Sequence, residues 1–297
     1  MGMVLTLIAG LRGRSSLPHL APAIAATLGI GSEPTWLAPG EACDLILDAT
    51  CPARVEKTVR ALIKGAGVDV VVQPIAGRRK QLLVADMEAT IIANEMLDEL
   101  ADLLSLGSQV SELTARAMNG EIDFATALRE RVRLLRDFPT TVLDEAARRI
   151  RINPGAVELV ATMRAHGAMT ALVSGGFRIF VNRVRTTLGF DIEIANDLEI
   201  EGARLTGTVR EPILGREAKL AALTRLAAEH GLAMTETMAV GDGANDLPML
   251  EAAGLGIAFH AKPRVVERAR YRVDHADLRA LLYVQGYRAS EIRGDGR

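Results

Sequence analysis

The segment GDGAND, which begins at Gly241, carries the strongest chemical signal in the chain. It places Asp242, Asn245 and Asp246 between the apolar run TMAV and the helix-like stretch LPMLEAAG. Carboxylate and amide oxygens are hard ligands that suit Mg²⁺, so the segment predicts a metal site. The alternative is a glycine turn in which Asn245 or Asp246 caps the following helix.

Three weaker signals precede this segment. Asp86 and Glu88 lie two residues apart directly after the apolar run LLVA. Ser174 and Gly175 follow TALV and offer a hydroxyl and unhindered N–H groups of the kind that hold phosphate oxygens, although a tight turn would also explain them. Lys219 lies on the predicted helix REAKLAALTRLAAEHG, where a lysine is usually a solvated surface residue.

Together these residue types would suit hydrolysis of a phosphomonoester. A phosphate dianion repels a carboxylate nucleophile, so Mg²⁺ and the Lys219 ammonium would have to neutralise it before Asp86 attacks in line. The leaving alkoxide needs a proton, which a protonated Glu88 could supply. Glu88 would then take a proton from the water that hydrolyses the aspartyl-phosphate.

The elements that must position these residues follow an α/β pattern. From residue 82 onward, apolar runs alternate with helical segments, which predicts a doubly wound parallel (Rossmann-like) sheet with its ligands beyond the carboxyl ends of the strands. Residues 92–150 contain only helical sequence and predict a helical cap over that crevice. Alternation around Glu201 and Gly202, within residues 191–213, predicts a β-hairpin that flanks the site.

The first part of the chain predicts a separate small module. Its apolar and helical patterns follow the order βαββαβ over residues 1–79, which is the order of ferredoxin-like α+β folds, and the charged stretch GRRKQ at 77–81 resembles a linker. We therefore expect domains at 1–79 and 80–297. The module contains no catalytic constellation, so packing is favoured over ligand sensing, and it could also mediate a homodimer.

Composition limits the classes of partner. The chain has 297 residues, 49% of them hydrophobic, and 35 basic against 37 acidic residues give a net charge of −2, so we expect no nucleic-acid partner. No apolar stretch is long enough to span a bilayer, and the first residues do not suit a signal peptide. Cys43 and Cys51 lack zinc or redox spacing. These features favour a cytoplasmic protein with a small-molecule substrate and no membrane partner.

The order of the four clusters resembles the haloacid dehalogenase-like superfamily of phosphatases. Within it the chain resembles the phosphoserine phosphatases from about residue 82 to 278, in the segments ADMEATIIANEMLDELAD, MNGEIDFATALRERV, SGGF, ANDLEIEGARLTG and VGDGANDLPMLEAAGLGIAFHAKP. The module before it resembles, by pattern alone, the ACT-like domain of some bacterial members. The resemblance implies Mg²⁺-dependent hydrolysis of O-phosphoserine to serine and phosphate, the last step of serine biosynthesis.

The resemblance also implies catalytic and metal-binding roles for matching residues. Asp86 would be the nucleophile and Glu88 the general acid and base. Ser174, Gly175 and Lys219 would bind the phosphoryl group. The implied metal ligands are the side chains of Asp86, Asp242 and Asp246 and the backbone carbonyl of Glu88.

A second implied set recognises the rest of the substrate. Glu95 would bind the amine and Arg131 the carboxylate, since an arginine fork matches a carboxylate. Arg129 and Arg133 compete for that role in the stretch RERVRLLR. Met118 and Phe124 would shield the pocket. Asn245 would contact the substrate, complete the metal site or, with Asp246, hold Lys219.

Two residues depart from the family pattern. Glu88 and Ala89 stand where the family usually has Asp and Ser. Glutamate reaches about 1.5 Å further, and a misplacement on that scale can cost on the order of a hundredfold in rate. Two alternatives therefore stay open: a phosphatase of the same fold for another small phosphoester such as phosphohomoserine, or a catalytically impaired regulatory protein.

Overall fold

The computed structural model describes residues 2–47, 52–119 and 121–294, and the side chains of residues 52 and 118 lie outside that description. Within these ranges the chain forms two sheets, a hairpin and their helices. A search of the described helices finds no segment long and apolar enough to cross a membrane.

The N-terminal part forms a four-stranded antiparallel sheet in the order β2-β3-β1-β4, with the predicted βαββαβ succession. Its elements are β1 (Met3–Ala9), α1 (Leu17–Thr27), β2 (Thr35–Ala38), β3 (Ala42–Leu47), α2 (Pro52–Leu62) and β4 (Val68–Pro74). The small N-terminal α+β unit that the sequence predicted is therefore present. Its division from the rest at residue 79 stays a prediction.

The central strand β1 is buried on both faces, and its residues alternate between two cores. Leu5 and Leu7 pack in the N-terminal core with α1, whereas Ile8 packs in the core of the larger unit, where α12 (Ala280–Val284) contacts β1. Each fully buried leucine contributes roughly 1.5–3 kcal/mol. The sheet is thus covered by its own helices on one face and by the rest of the protein on the other.

Polar contacts fix the N-terminal sheet to the larger unit. The buried Asp69 carboxylate on β4 accepts hydrogen bonds from the backbone N–H groups of Asp274, His275 and Ala276, at 2.8–3.0 Å. Gln73 donates to the carbonyl of Val284 at 2.6 Å. These bonds satisfy buried polar groups, so they fix the relative position of the two surfaces in an interface that is otherwise apolar.

The larger unit contains a six-stranded parallel sheet in the order β12-β11-β10-β5-β6-β7, which confirms the predicted α/β fold class. Its strands are β5 (Leu82–Ala85), β6 (Met169–Phe177), β7 (Ile192–Asn196), β10 (Thr237–Gly241), β11 (Leu255–Phe259) and β12 (Tyr271–Val273). The helices that connect or follow these strands are α7 (Ala156–Ala165), α8 (Arg178–Leu188), α9 (Arg216–Glu229), α10 (Leu247–Ala252), α11 (Pro263–Val266) and α12.

The strand β5 shows why both faces of this sheet need helices. Its four residues are all fully buried: Leu83 and Ala85 pack on the core that includes α7 and α8, whereas Leu82 and Val84 pack on the core that includes α9 and α10. An apolar strand with no polar alternation is typical of a parallel sheet covered on both sides. The polar residues after such a strand are then delivered to its carboxyl edge.

Between β5 and α7 the chain forms the all-helical stretch expected of a cap. Its helices are α3 (Met96–Leu103), α4 (Gly107–Met118), α5 (Phe124–Arg133) and α6 (Thr141–Ala147). The predicted hairpin is also present as β8 (Leu198–Glu201) and β9 (Arg204–Val209), with Gly202 at a φ of 59° in its turn. The hairpin contacts α5, and the Asp137 N–H donates to the Leu205 carbonyl at 2.9 Å. It therefore supports the cap.

Candidate active site

One cavity of about 450 Å³ lies where the carboxyl ends of the parallel strands face the cap. Asp86 follows β5, Asp242 follows β10, and Gly175 lies near the carboxyl end of β6. Ser174 and Gly175 were expected after the strand, but β6 continues to Phe177 with a register irregularity beyond Val173. The four clusters of the sequence thus meet at one edge of the sheet.

The buried Lys219 ammonium joins two carboxylates at the floor of this cavity. Its Nζ lies 2.7 Å from an Asp86 oxygen and 2.5 Å from an Asp246 oxygen, and the residue is only 3% exposed. Burial by itself would lower the pKa of Lys219, but its ion pairs with Asp86 and Asp246 outweigh burial and raise that pKa. Lys219 therefore stays protonated at neutral pH.

Glycine is required where the GDGAND loop folds over Asp246. The other carboxylate oxygen of Asp246 accepts a hydrogen bond from the Gly243 N–H at 2.9 Å. A Cβ atom on Gly241 would lie 2.4 Å from the Asp246 carboxylate carbon, closer than any real Cβ contact. The glycines thus let the backbone close on a carboxylate that is fully buried.

Asp86, Asp242 and Asp246 form a cluster with the properties of a metal site. One carboxylate oxygen of each lies within 4.8 Å of the others, and all three residues are buried. Burial and then the charge of Asp246 raise the pKa of Asp86, and burial is also the main cause that raises the pKa of Asp242, with a smaller contribution from the charge of Asp246. The cluster therefore holds more negative charge than its neighbours neutralise, and a hard divalent cation suits it.

Glu88 lies in the same cavity but its carboxylate points toward the cap. Oε1 accepts a hydrogen bond from the Met96 N–H at 2.8 Å, at the start of α3. A Cβ atom on Gly176 would lie 2.9 Å from Oε2, so glycine at this position makes room for the longer glutamate arm. Burial is the main cause that raises the pKa of Glu88. Its neighbour Ala89 adopts a left-handed φ of 52°.

Glu95 and Arg131 both line the cavity, and their roles in binding the substrate stay predictions. Burial, followed by the charge of Glu88, raises the pKa of Glu95 to about 7. Burial lowers the pKa of Arg131, although Asp98 and the two glutamates oppose that effect. Arg131 also donates from Nε to the Ala127 carbonyl at 3.2 Å, which orients the guanidinium.

The competing arginines are not brought to the cavity. Arg129 pairs with Glu211 at 2.6 Å on the surface, and Arg133 is exposed. Phe124 covers Gly175, since a Cβ there would lie 3.1 Å from the Phe124 ring, and Asn245 also lines the cavity. The side chain of Met118 lies outside the described residues.

Two charged residues of the cavity were not singled out in the sequence. Asp98 lies on α3 three residues after Glu95, and Lys262 follows β11 in the segment HAKP. The Lys262 ammonium lies 3.5 Å from an Asp242 oxygen. The position of Lys262 beyond the carboxyl end of a predicted parallel strand was a usable signal, whereas that of Asp98 depends on how the cap folds back.

Comparison with models of protein families identifies the class to which the larger unit belongs. The model of the haloacid dehalogenase-like hydrolases matches residues 83–251, which include most of β5, most of α10 and every element between them. The chain belongs to the haloacid dehalogenase-like hydrolases.

Comparison with individual proteins shows which family within this class the chain resembles most clearly. The chain is 45% identical over 212 residues to a phosphoserine phosphatase of Archaeoglobus fulgidus, covering 71% of this chain but 62% of that protein. It is 43% identical over 203 residues to a phosphoserine phosphatase of Lactococcus lactis, covering 68% of this chain and 94% of that one. A probable phosphoserine phosphatase from Vibrio cholerae, in unliganded form, superposes with a TM-score of 0.81 at 31% identity, over 98% of this chain and 88% of the other. Within the class, the chain belongs to the phosphoserine phosphatase family.

Proposed function

We propose that this protein hydrolyses O-phosphoserine to serine and phosphate through a phosphoryl group carried on Asp86. The observation that carries the proposal is the contact of the Asp86 carboxylate with the Lys219 ammonium at 2.7 Å, inside an acidic cluster and in one cavity with Glu88, Glu95 and Arg131. A buried carboxylate beside a fixed cation is suited to attack on an anionic ester. The names of the relatives support phosphoserine as that ester.

In the first half of the reaction the Asp86 carboxylate attacks phosphorus, and the bond from phosphorus to the serine oxygen breaks. Lys219 neutralises the phosphoryl oxygens, together with N–H donors near Ser174 and Gly175. Glu88 gives its proton to the departing serine oxygen. In the second half a water attacks phosphorus, its proton passes to Glu88, and the bond to Asp86 breaks to release phosphate.

Asp86, Asp242 and Asp246, with the backbone carbonyl of Glu88, would hold the divalent cation that the family uses, and we propose Mg²⁺ because all these ligands are oxygens. When bound, Mg²⁺ supplies positive charge against the transferring phosphoryl group. The chain itself contributes the fixed positions of these carboxylates, including the Asp246 oxygen held by Gly243.

Recognition of the amino acid part rests on two side chains of opposite charge. Arg131 would pair with the substrate carboxylate and Glu95 with its ammonium group. Arg131 is half-buried and lines the cavity, so its charge is left without a partner when the substrate lacks a carboxylate. This arrangement favours phosphoserine over simpler phosphate esters.

The test is phosphate release with Mg²⁺ from O-phosphoserine and from phosphoethanolamine, which lacks the carboxylate. We expect Asp86→Asn to abolish release from both esters. Arg131→Ala should lower kcat/KM for phosphoserine by about 10- to 150-fold, the value of a lost charge-assisted bond, with little effect on phosphoethanolamine. Arg129→Ala is the matched control and should leave both unchanged.

Equal rates for wild type and Asp86→Asn would remove the proposed chemistry. Equal losses on both esters in Arg131→Ala would remove the proposed substrate and favour another small phosphoester. No release from any ester by the wild type would favour the regulatory alternative.

The cytoplasmic location and the homodimer expected from the sequence stay predictions. At one edge of the N-terminal sheet β4 contacts β12, while β2 forms the other edge. Light scattering after size-exclusion chromatography would give the oligomeric state directly.

A further inference from the structure

Lys262 brings a further cation to the cavity from a backbone position that the fold holds in place. Its N–H donates to the Asp242 carbonyl at 3.1 Å, which ties the loop after β11 to the loop after β10. Pro263 begins α11, and a residue before proline is restricted to extended backbone, which Lys262 adopts with φ −62° and ψ 149°. The side chain therefore starts from a fixed point beside the acidic cluster.

The two lysines near the cluster are held with very different strength. Lys219 is buried between two carboxylates at 2.7 and 2.5 Å. The Lys262 side chain is 61% exposed, and its ammonium has one longer contact, 3.5 Å, to Asp242. A flexible stem with one half-exposed ion pair costs little to move. Lys262 can therefore leave Asp242, whereas movement of Lys219 would leave two buried carboxylates without a counter-charge.

Lys262 also neutralises the one carboxylate of the cluster that Lys219 does not contact. Asp86 and Asp246 share Lys219, and Asp242 has Lys262. A divalent cation held by the cluster would bring two positive charges next to Asp242 and repel the ammonium. Lys262 and Glu95 line the same cavity, and the charge of Lys262 lowers the pKa of Glu95, so a second carboxylate lies within electrostatic reach of the ammonium.

We propose that Lys262 is a displaceable counter-ion that serves the metal site and the substrate in turn. In the metal-free protein it neutralises Asp242; once a divalent cation binds, it moves to the cavity mouth, where its charge attracts the phosphate dianion. The proposal rests on the proposed function, because it assumes a metal in the cluster and a dianionic ester. It makes Lys262 a positioning residue that competes with the metal and favours the substrate.

The test compares Mg²⁺ binding by titration calorimetry with steady-state kinetics on phosphoserine. In Lys262→Met the competitor is gone, so Mg²⁺ should bind more tightly, on the order of fivefold, the upper end for a part-exposed ion pair. KM for phosphoserine should rise by a similar factor, and the difference from wild type should shrink as ionic strength increases. Lys262→Arg should restore both values.

Lys64→Met is the matched control, because it removes one exposed lysine from the N-terminal part, and both values should stay at wild-type level. Lys262→Gln serves as a second neutral variant, and melting temperatures verify folding. Mg²⁺ binding in the neutral variants that equals or is weaker than wild type would overturn the proposal, as would an unchanged KM. A wild type that binds no Mg²⁺ and releases no phosphate would instead remove the proposed function itself.

Discussion

Replacing Glu88 by glutamine separates its proton transfer from its structural contact. The Glu88 carboxylate accepts the Met96 N–H at 2.8 Å, and a glutamine carbonyl of the same reach can accept the same bond. The amide cannot exchange a proton with the leaving oxygen. General acid–base catalysis contributes about 10²- to 10⁴-fold, so kcat for phosphoserine should fall by that factor while the melting temperature stays unchanged.

An aryl phosphate with an acidic phenol makes this prediction sharper, because its phenolate leaves without a proton. With that substrate, Glu88→Gln should form the aspartyl-phosphate at nearly the wild-type rate. It should then stall, since the attacking water has no base. Stopped-flow absorbance should show a burst of one phenolate per active site followed by slow turnover.

Turnover of phosphoserine by Glu88→Gln at the wild-type rate would refute the proton-transfer role. A variant that lost the burst along with turnover would point instead to a role in holding the cavity together. Glu88→Asp provides the geometric comparison: it withdraws the carboxylate by about 1.5 Å, out of reach of the Met96 N–H. We expect a loss on the order of a hundredfold, because Gly176 and Met96 are arranged around the longer arm.

Three further perturbations test separate parts of the structure. Burial, then the charge of Glu88, raises the pKa of Glu95 to about 7; only its ionised form can hold the substrate ammonium. A pH–rate profile should therefore show kcat/KM for phosphoserine falling as pH drops through about 7, and Glu95→Gln should lose that dependence. Asp69→Ala removes the acceptor of three interface N–H groups, and urea unfolding should show a loss of about 2–4 kcal/mol, with a smaller loss for Asp69→Asn. Mg²⁺ should raise the melting temperature because only the folded cluster binds it. EDTA should reverse this rise and Asp242→Asn should abolish it, whereas Asp69→Asn should retain it.

Residues placed by strand ends were predictable from the sequence. Asp86 and Asp242 each follow a fully apolar run, and parallel strands deliver such residues to one edge of the sheet. The apolar pattern also fixed the class of the fold, since β5 has no polar alternation and must be covered on both sides. These inferences need only local pattern and a general rule of topology.

Residues whose role depends on packing between distant segments were harder to predict. A lysine on a helix is usually solvated, yet Lys219 is 3% exposed, because that side of α9 packs against the central strands β5, β6 and β10. Lys80, in the stretch interpreted as a linker, is also buried and donates to the Thr235 carbonyl at 2.8 Å. Neither burial is encoded in the neighbouring residues.

The effect of the glutamate at position 88 was uncertain for the same reason. From the sequence, its extra length suggested a displaced acid. In the structure the Met96 N–H at the start of α3 and the absent side chain of Gly176 accommodate that length, and Gly176 comes from β6, far from Glu88 in the chain. The compensation can be recognised only once the cap and β6 are placed together.

Mass spectrometry of enzyme quenched in acid during turnover of phosphoserine tests directly whether Asp86 carries the phosphoryl group. We expect one added phosphoryl group on the peptide that contains Asp86, dependent on Mg²⁺ and absent from Asp86→Asn. The same species should accumulate in Glu88→Gln with the aryl ester. A phosphoryl group on any other residue, or rapid turnover by Asp86→Asn, would contradict this role of Asp86.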